Sequence, residues 1–279
     1  MSAATQRTLN TGLVHLVLGL YTLVALFPIL LILINAFKTR KGIFNDPMAL
    51  PTTETFSTTG FEKVFAQSDF ILLFGNSLTV TLVSLFFVLL LGGMVAWALS
   101  EYPFPGRRML TLFMAMGSMV PIRLGKVSIL EMMVALDLVN TLTALILVYI
   151  AQGLPLAIFI LSEYMSQIPK ELKEAARCDD VSEYRIFFQI ILPLTRPAIA
   201  TVAVFTMIPI WNDLWFPLIL APGEETRTLT LGVQQFIGQY VTDWNSVLAS
   251  LTLAVMPVLV LYMFFSRQLI RGLTSGAVK

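Results

Sequence analysis

The stretch FGNSLTVTLVSLFFVLLLGGMVAWAL, Phe74 to Leu99, runs for 26 residues without one Asp, Glu, Lys or Arg. A helix needs about 20 predominantly apolar residues to cross the hydrocarbon core of a bilayer. Five further runs pass the same test of length: Leu13–Phe37, Met109–Met133, Leu138–Leu161, Ala198–Leu220 and Ser246–Phe265. Together they predict an all-α, polytopic membrane protein with about six transmembrane helices. Composition agrees. Of 279 residues, 57% are hydrophobic and only 13% charged, whereas about a quarter of residues are charged in soluble domains. The first run is too long for a signal-peptide core and has no small-x-small cleavage site near its end, so it is expected to stay as a helix.

Several classes of function are excluded at this level. The net charge of +1 does not supply the basic surface that a nucleic-acid partner requires. A single cysteine, Cys178, cannot form an internal disulfide, and a single histidine, His15, cannot supply a paired-histidine zinc motif. Both are expected to be structural. With the N-terminus inside the cell, eleven of the 18 Lys and Arg fall on the inner side, among them Arg7, Arg107, Arg108, Arg267 and Lys279. The positive-inside rule then places both termini in the cytoplasm, although Lys38, Arg40 and Lys41 pull the other way.

Between the runs no soluble domain fits, so residues 1–279 read as a single membrane domain with its core at about 70–270. The first outer segment, about Lys38 to Asp69, carries Pro47, Pro51 and many Ser and Thr, and is expected to be irregular. A short helix is expected near Thr230–Phe236. Prolines interrupt five of the six runs: Pro28, Pro121, Pro155, Pro209 with Pro217, and Pro257. Each removes a backbone hydrogen bond, and in lipid such breaks survive where neighbouring helices or a water-filled cavity satisfy the freed groups. Five together favour a bundle around a path. The second run has instead Gly92, Ala96 and Ser100 at four-residue spacing, a face that permits close helix contact.

The chain is least apolar in its middle. Glu163 to Arg185 holds ten of its 35 charged residues. Pro169 is suited to open a helix as its first residue. Ile168, Leu172, Ala175 and Ala176 then form a narrow apolar stripe whose two alanines would let another surface approach closely. Asp180 and Glu183 have the spacing of a capping box for a second helix. On that helix Tyr184, Phe187, Phe188, Ile191 and Leu192 share a face, expected to pack on the protein's own helix ends.

The segment EAARCDDVSEYRIFFQIILPLTRP, Glu174 to Pro197, resembles the E-A-A…D-G…I-x-L-P loop of permease subunits in bacterial ATP-binding-cassette importers. IPKEL before it, WNDLWFPLIL at Trp211–Leu220 and the C-terminal GLTSGAVK are similar to the carbohydrate branch, of the maltose-permease type that ends this way. The likeness runs from about Asn76 to the last residue. It implies a type I importer permease fold in the bacterial cytoplasmic (inner) membrane. Within it, a cytoplasmic coupling helix in the loop at about 163–192 would dock in a cleft of an ATPase subunit. The residues it assigns to that coupling are Leu172, Glu174, Ala175, Ala176, Asp179 and Asp180. It further implies a second homologous permease, two ATP-binding cassette subunits that hydrolyse ATP with Mg, an extracytoplasmic solute-binding protein, and a sugar as cargo. One departure stands out. Asp180 occupies the family's glycine, a place that calls for positive φ; aspartate tolerates that conformation and can also cap a helix.

No cofactor is expected on this chain itself. RLGKVS at Arg123–Ser128 has a Gly-Lys pair, but Val120 and Val127 occupy the first-glycine and Ser/Thr places of a phosphate loop. Trp211, Asn212, Asp213 and Trp215 are candidates for the substrate path, since an aspartate within a span should face a cavity or a polar partner. Carboxylate, amide and aromatic rings suit a sugar, but the same quartet matches the family pattern whichever sugar is carried, which points to helix packing or gating. Both uses stay open from sequence. The alternative to an ATP-driven importer is a secondary transporter driven by an ion gradient. That would favour paired carboxylates in the membrane, and Asp213 is the main one deep in a run.

Overall fold

A computed structural model describes residues 3–67, 69–237 and 242–275. The described residues form helices and no strand, with two isolated β-bridges, Lys38 to Phe56 and Ile237 to Thr242. In chain order the helices are α1 (Ala3–Ala36), α2 (Arg40–Asn45), α3 (Thr59–Gln67), α4 (Phe70–Glu101), α5 (Arg107–Met119), α6 (Lys126–Ala135) and α7 (Leu142–Ser166). There follow α8 (Lys170–Cys178), α9 (Glu183–Arg185), a π-helical turn (Ile186–Ile191), α10 (Leu192–Leu194) and α11 (Arg196–Trp211). Last come α12 (Trp215–Leu220), α13 (Leu229–Val233) and α14 (Trp244–Ser275). The final residues of GLTSGAVK, 276–279, lie outside the described residues.

Three of these helices are long and apolar enough to cross a membrane, and two bent pairs bring the number to five. The pairs are Arg107–Met119 with Ile122–Ala135, bent by 80°, and Glu183–Leu194 with Arg196–Trp211, bent by 77°. α14 adds an apolar stretch at Trp244–Val260. The fifth run of the sequence is therefore cut differently from its expected bounds. Its helix ends at Trp211, and Trp215–Leu220 forms a separate short helix.

The chain divides into two compact units. One comprises Met1–Phe70 with Val233–Met256. From Leu13 to Leu30 its α1 leaves large apolar side chains exposed, including Tyr21 and Val24. An apolar stretch with so little of its surface covered belongs in lipid. The outer segment expected to be irregular instead contains α2 and α3. Lys38 makes the order possible: its buried ammonium donates to the carbonyls of Asp46 (2.9 Å) and Pro47 (3.4 Å), which closes the loop around it. Asn245 donates to the Lys38 carbonyl at 2.6 Å, and Lys63 pairs with Asp243 at 2.7 Å, so the start of α14 is fastened to this segment.

The other unit comprises Ile71–Gly232 with Pro257–Lys279. Gly92 of α4 stands so close to α7 that a Cβ on it would come within 3.0 Å of the Ala157 Cβ. Ala96, one turn on, is fully buried. The small-residue face read from the sequence is thus a packing face. Two cores lie along α7. Ala144, Leu145, Val148 and Tyr149 join Val80, Ile210 and Phe216 in one; Ala157, Leu161 and Met165 join Val88, Trp97, Ile186 and Phe187 in the other. Asn140, at φ 63°, turns the chain into α7 and accepts hydrogen bonds from the Gly223 N–H (2.8 Å) and the Thr226 hydroxyl (2.7 Å).

Candidate functional site

The charged middle folds as a helix with two unlike faces. Lys173 and Ala176 of α8 are buried, whereas Leu172, Glu174, Ala175, Asp179 and Asp180 are exposed. The apolar stripe expected from spacing therefore splits. Ile168 and Ala176 face the protein core, and Leu172 with Ala175 remains outside. Pro169 is the residue before the helix rather than its first.

Asp180 ends α8. Its φ is 55°, in the left-handed region, which explains why a glycine suits this place. The Val181 N–H donates to the Ala176 carbonyl and the Asp180 N–H to the Arg177 carbonyl, both at 3.1 Å. This is the paired 6→1 and 5→2 arrangement of a Schellman motif, and Val181 packs against the same core as Ala176. The capping box expected from Asp180 and Glu183 does not form. Ser182 precedes α9 with no side-chain cap, and Glu183 accepts from Arg177 (Nε, 2.7 Å) and from the Tyr102 hydroxyl instead.

Those contacts belong to a larger cluster. Lys173, only 3% exposed, donates to Glu101 Oε2 at 2.6 Å, and Arg177 Nη2 lies 2.7 Å from Glu101 Oε1. The Lys173 ammonium also sits 5.4 Å from the centre of the Trp97 ring. Two carboxylates and two cations thus neutralise one another where α4 ends against α8. Hydrogen bonds from Arg177 to Glu183 and Glu101 push the guanidinium pKa up, while partial burial and the Glu183 carboxylate push the Tyr102 phenol up. Both groups keep their protons as donors. The aromatic face predicted after Asp180 is also redrawn. Ile186, Phe187 and Ile191 of the π-turn are buried, whereas Phe188 and Tyr184, the latter before the turn, are exposed.

The quartet at the end of α11 makes mostly internal contacts. Trp211 is buried, 5.9 Å from Phe74 in an edge-on arrangement. Asn212 is exposed and donates back to the Ile208 carbonyl at 2.9 Å. Asp213 accepts from the first two N–H groups of α12, those of Trp215 (3.3 Å) and Phe216 (3.2 Å), and from the Tyr149 hydroxyl (2.9 Å). Arg123 Nη2 lies 3.8 Å from Oδ1, the oxygen that also accepts from the Trp215 N–H, while Phe216 and Tyr149 share Oδ2. Trp215 is half-exposed under the Lys126 ammonium, at 4.3 Å.

The cavity lies elsewhere. A space of about 610 Å³ opens between the α5 break, α7 and α11, within the 300–1,000 Å³ usual for small-molecule sites. Pro121, Pro155 and Pro209 all line it. A proline has no N–H, so the carbonyl four residues earlier loses its helical donor. In α7 and α11 those carbonyls belong to Ala151 and Phe205. Pro121 lies beyond the end of α5, whose last turn leaves the Gly117 carbonyl without a helical donor in any case. Gly117, Ala151 and Phe205 all line the same cavity. The Thr206 hydroxyl there, on a side chain 6% exposed, has no hydrogen-bond partner among the described residues, and the exposed Gln152 amide lines the same space. Sequence reasoning named the prolines but missed Gln152 and Thr206; a glutamine within an apolar run was the available signal. Among the described residues no His, Cys, Asp or Glu side chains gather in threes to hold a metal.

Apolar helices of membrane-spanning length, two pairs of them sharply bent, make this a multi-pass membrane protein. Residues 88–275 match the family described as binding-protein-dependent transport system inner membrane component, and the chain belongs to that family. It is a transporter permease subunit and not an enzyme. It is 33% identical over 260 residues to the arabinooligosaccharides transport system permease protein AraQ of Halalkalibacterium halodurans, covering 92% of each chain. It is 31% identical to the diacetylchitobiose uptake system permease protein NgcG of Streptomyces coelicolor, over 95% of this chain and 88% of that one. Among solved structures, a bacterial ABC transporter that imports the acidic polysaccharide alginate superposes with a TM-score of 0.80 at 20% identity, over 96% of this chain and 98% of that one. The fold is that of an ABC importer permease.

Proposed function

We propose that this chain is one of two membrane-spanning subunits of an ATP-driven sugar importer, with both termini in the cytoplasm. The observation that carries the coupling role is the two-sided α8, whose inner face is anchored by Lys173 and Ala176 while Leu172, Glu174, Ala175 and Asp179 stand free of the core. An ATPase cleft would receive that outer face. The second permease, two ATPase copies and a solute-binding protein complete the assembly, and ATP with Mg would be held by the ATPases.

The cavity supports a sugar as cargo. Its freed carbonyls accept hydrogen bonds, and the Gln152 amide and Thr206 hydroxyl both donate and accept. A polyhydroxylated molecule presents matching groups at many angles. The names of the relatives point the same way, to arabinooligosaccharides and diacetylchitobiose. The direct-contact role considered for Trp211, Asn212, Asp213 and Trp215 gives way to a supporting one at the α11–α12 break. The ion-gradient alternative is set aside, because the family imports with a binding protein and the Asp213 carboxylate is engaged by α12 and Tyr149.

The test is reconstitution of the chain with a second permease of the same family, an ATP-binding cassette ATPase and a solute-binding protein from the same organism. Uptake of labelled arabinotriose, trehalose or diacetylchitobiose should require ATP and every partner. Accumulation by this chain alone, driven by a proton or sodium gradient, would overturn the reading.

A further inference from the structure

We infer that Glu101 is the positioning residue through which movement of α8 is passed to the membrane span α4. This rests on the coupling role proposed for α8. Glu101 is the last residue of α4, and each of its carboxylate oxygens is held by a different cation of α8. Lys173 takes one at 2.6 Å and Arg177, one helical turn later, takes the other at 2.7 Å. No other residue of α4 makes an ion pair with α8 among the described residues.

Apart from the Arg177–Glu183 pair and the Lys173–Trp97 contact, α8 meets the core only slightly and through an apolar group. Ala176 offers one methyl to the core. Apolar contact is non-directional, so a helix seated on it alone can slide or rock at little cost. Charge-assisted hydrogen bonds are short and directional, and strengthen in a dry setting. Lys173 is in such a setting, with its ammonium beside Trp97, one turn before Glu101 on the same α4. Glu183 holds Arg177 from the far side at 2.7 Å and so fixes the angle of the guanidinium. Two grips on one carboxylate, spaced by a helical turn, resist both sliding and rotation of α8 against the end of α4. α4 in turn packs on α7 through Gly92 and, at Val88, against Gly153, which lines the cavity. A pull on α8 therefore reaches the cavity wall through Glu101.

The experiment uses the assembled complex in nanodiscs, with Cys178 first replaced by serine and Gln152→Cys as a reporter in the cavity. The rate at which a charged maleimide labels the reporter is measured with and without AMP-PNP and Mg. Glu101→Gln keeps the shape and weakens both grips. A second variant, Glu101→Met with Lys173→Met, replaces the pair by apolar groups, a change that is often neutral or stabilising when both charges go together. In both variants the ATPases should still copurify and hydrolyse ATP, while most of the nucleotide-dependent change in labelling is lost. The thermal unfolding midpoint of the Met pair should stay at or above the wild-type value. Labelling that responds to nucleotide as in the parent complex in both variants overturns the inference, as does loss of the ATPases from both. If the parent complex itself shows no nucleotide-dependent change, the coupling reading of α8 falls first and takes this inference with it.

Discussion

Tyr149 of α7 donates its phenolic hydrogen to Asp213 at 2.9 Å, and the same carboxylate oxygen accepts the Phe216 N–H that opens α12. One buried hydrogen bond thus ties the middle of a span to the break that follows α11. Asp213 thereby caps the first turn of α12.

From this, Tyr149→Phe should lower the unfolding midpoint of the purified chain, because a buried carboxylate loses one donor at a cost of about 1–3 kcal/mol. Asp213→Ala should cost more, since α12 also loses its two backbone bonds. Transport should fall with stability in both, with the ATPases still bound. Differential scanning fluorimetry beside uptake assays decides it. Asp213→Ala with an unchanged midpoint and no transport would return this residue to the path.

The cavity makes a contrasting prediction. Gln152→Leu and Thr206→Val remove no internal hydrogen bond among the described residues, so the unfolding midpoint should hold or rise. Uptake of the transported saccharide should nevertheless fall, by roughly 2–10-fold for each hydrogen bond lost. Unchanged uptake in both variants would show that cargo passes without touching these groups.

Asp180→Gly should be close to neutral in transport and in stimulated ATP hydrolysis, since glycine takes the left-handed φ of 55° without strain. Asp180→Val should cost roughly 1–2 kcal/mol or more, because a β-branched side chain is poorly tolerated there. Both rates, measured in the assembled complex, test the pair. An Asp180→Gly variant that alone fails would mean the aspartate carboxylate has a task of its own.

At the proposed docking face, Glu174→Lys and Ala175→Trp should release or uncouple the ATPase while the chain stays folded, because both positions are exposed. Ala176→Trp behaves differently from what spacing suggests. Its site is inside the core with Ile168 and Phe187, so the indole should lower the unfolding midpoint. Copurification of the ATPase and the midpoint together separate the two effects. Normal coupling in both exposed-face variants would place the docking surface elsewhere.

The sequence carried much of this architecture. Apolar length alone marks α1, α4 and α7, since lipid demands about 20 such residues whatever their partners. Gly92 and Ala96 announce a close helix contact because only small residues permit one. Asp180 is legible as a turn residue because few side chains tolerate positive φ. The helix near Thr230 was foreseen as well, and α13 with its following turn lies there.

Where the sequence misled, the reason is that neighbours in space outvoted neighbours in the chain. Helical spacing put Ala176 beside Ala175 on a docking stripe, but Glu101, 72 residues away from Lys173, draws the other face of α8 inward. Spacing likewise paired Asp180 with Glu183, while Arg177 and Tyr102 compete more strongly for that carboxylate. α2 and α3 form in a segment rich in turn residues, and the turn after α2 closes where buried Lys38 collects the Asp46 and Pro47 carbonyls. The sequence by itself determined a membrane bundle, its breaks and its charged helix, since propensity and apolar length act locally. Only the tertiary structure decided that three prolines open one cavity and that Glu101 holds α8, because both depend on side chains brought together across the bundle.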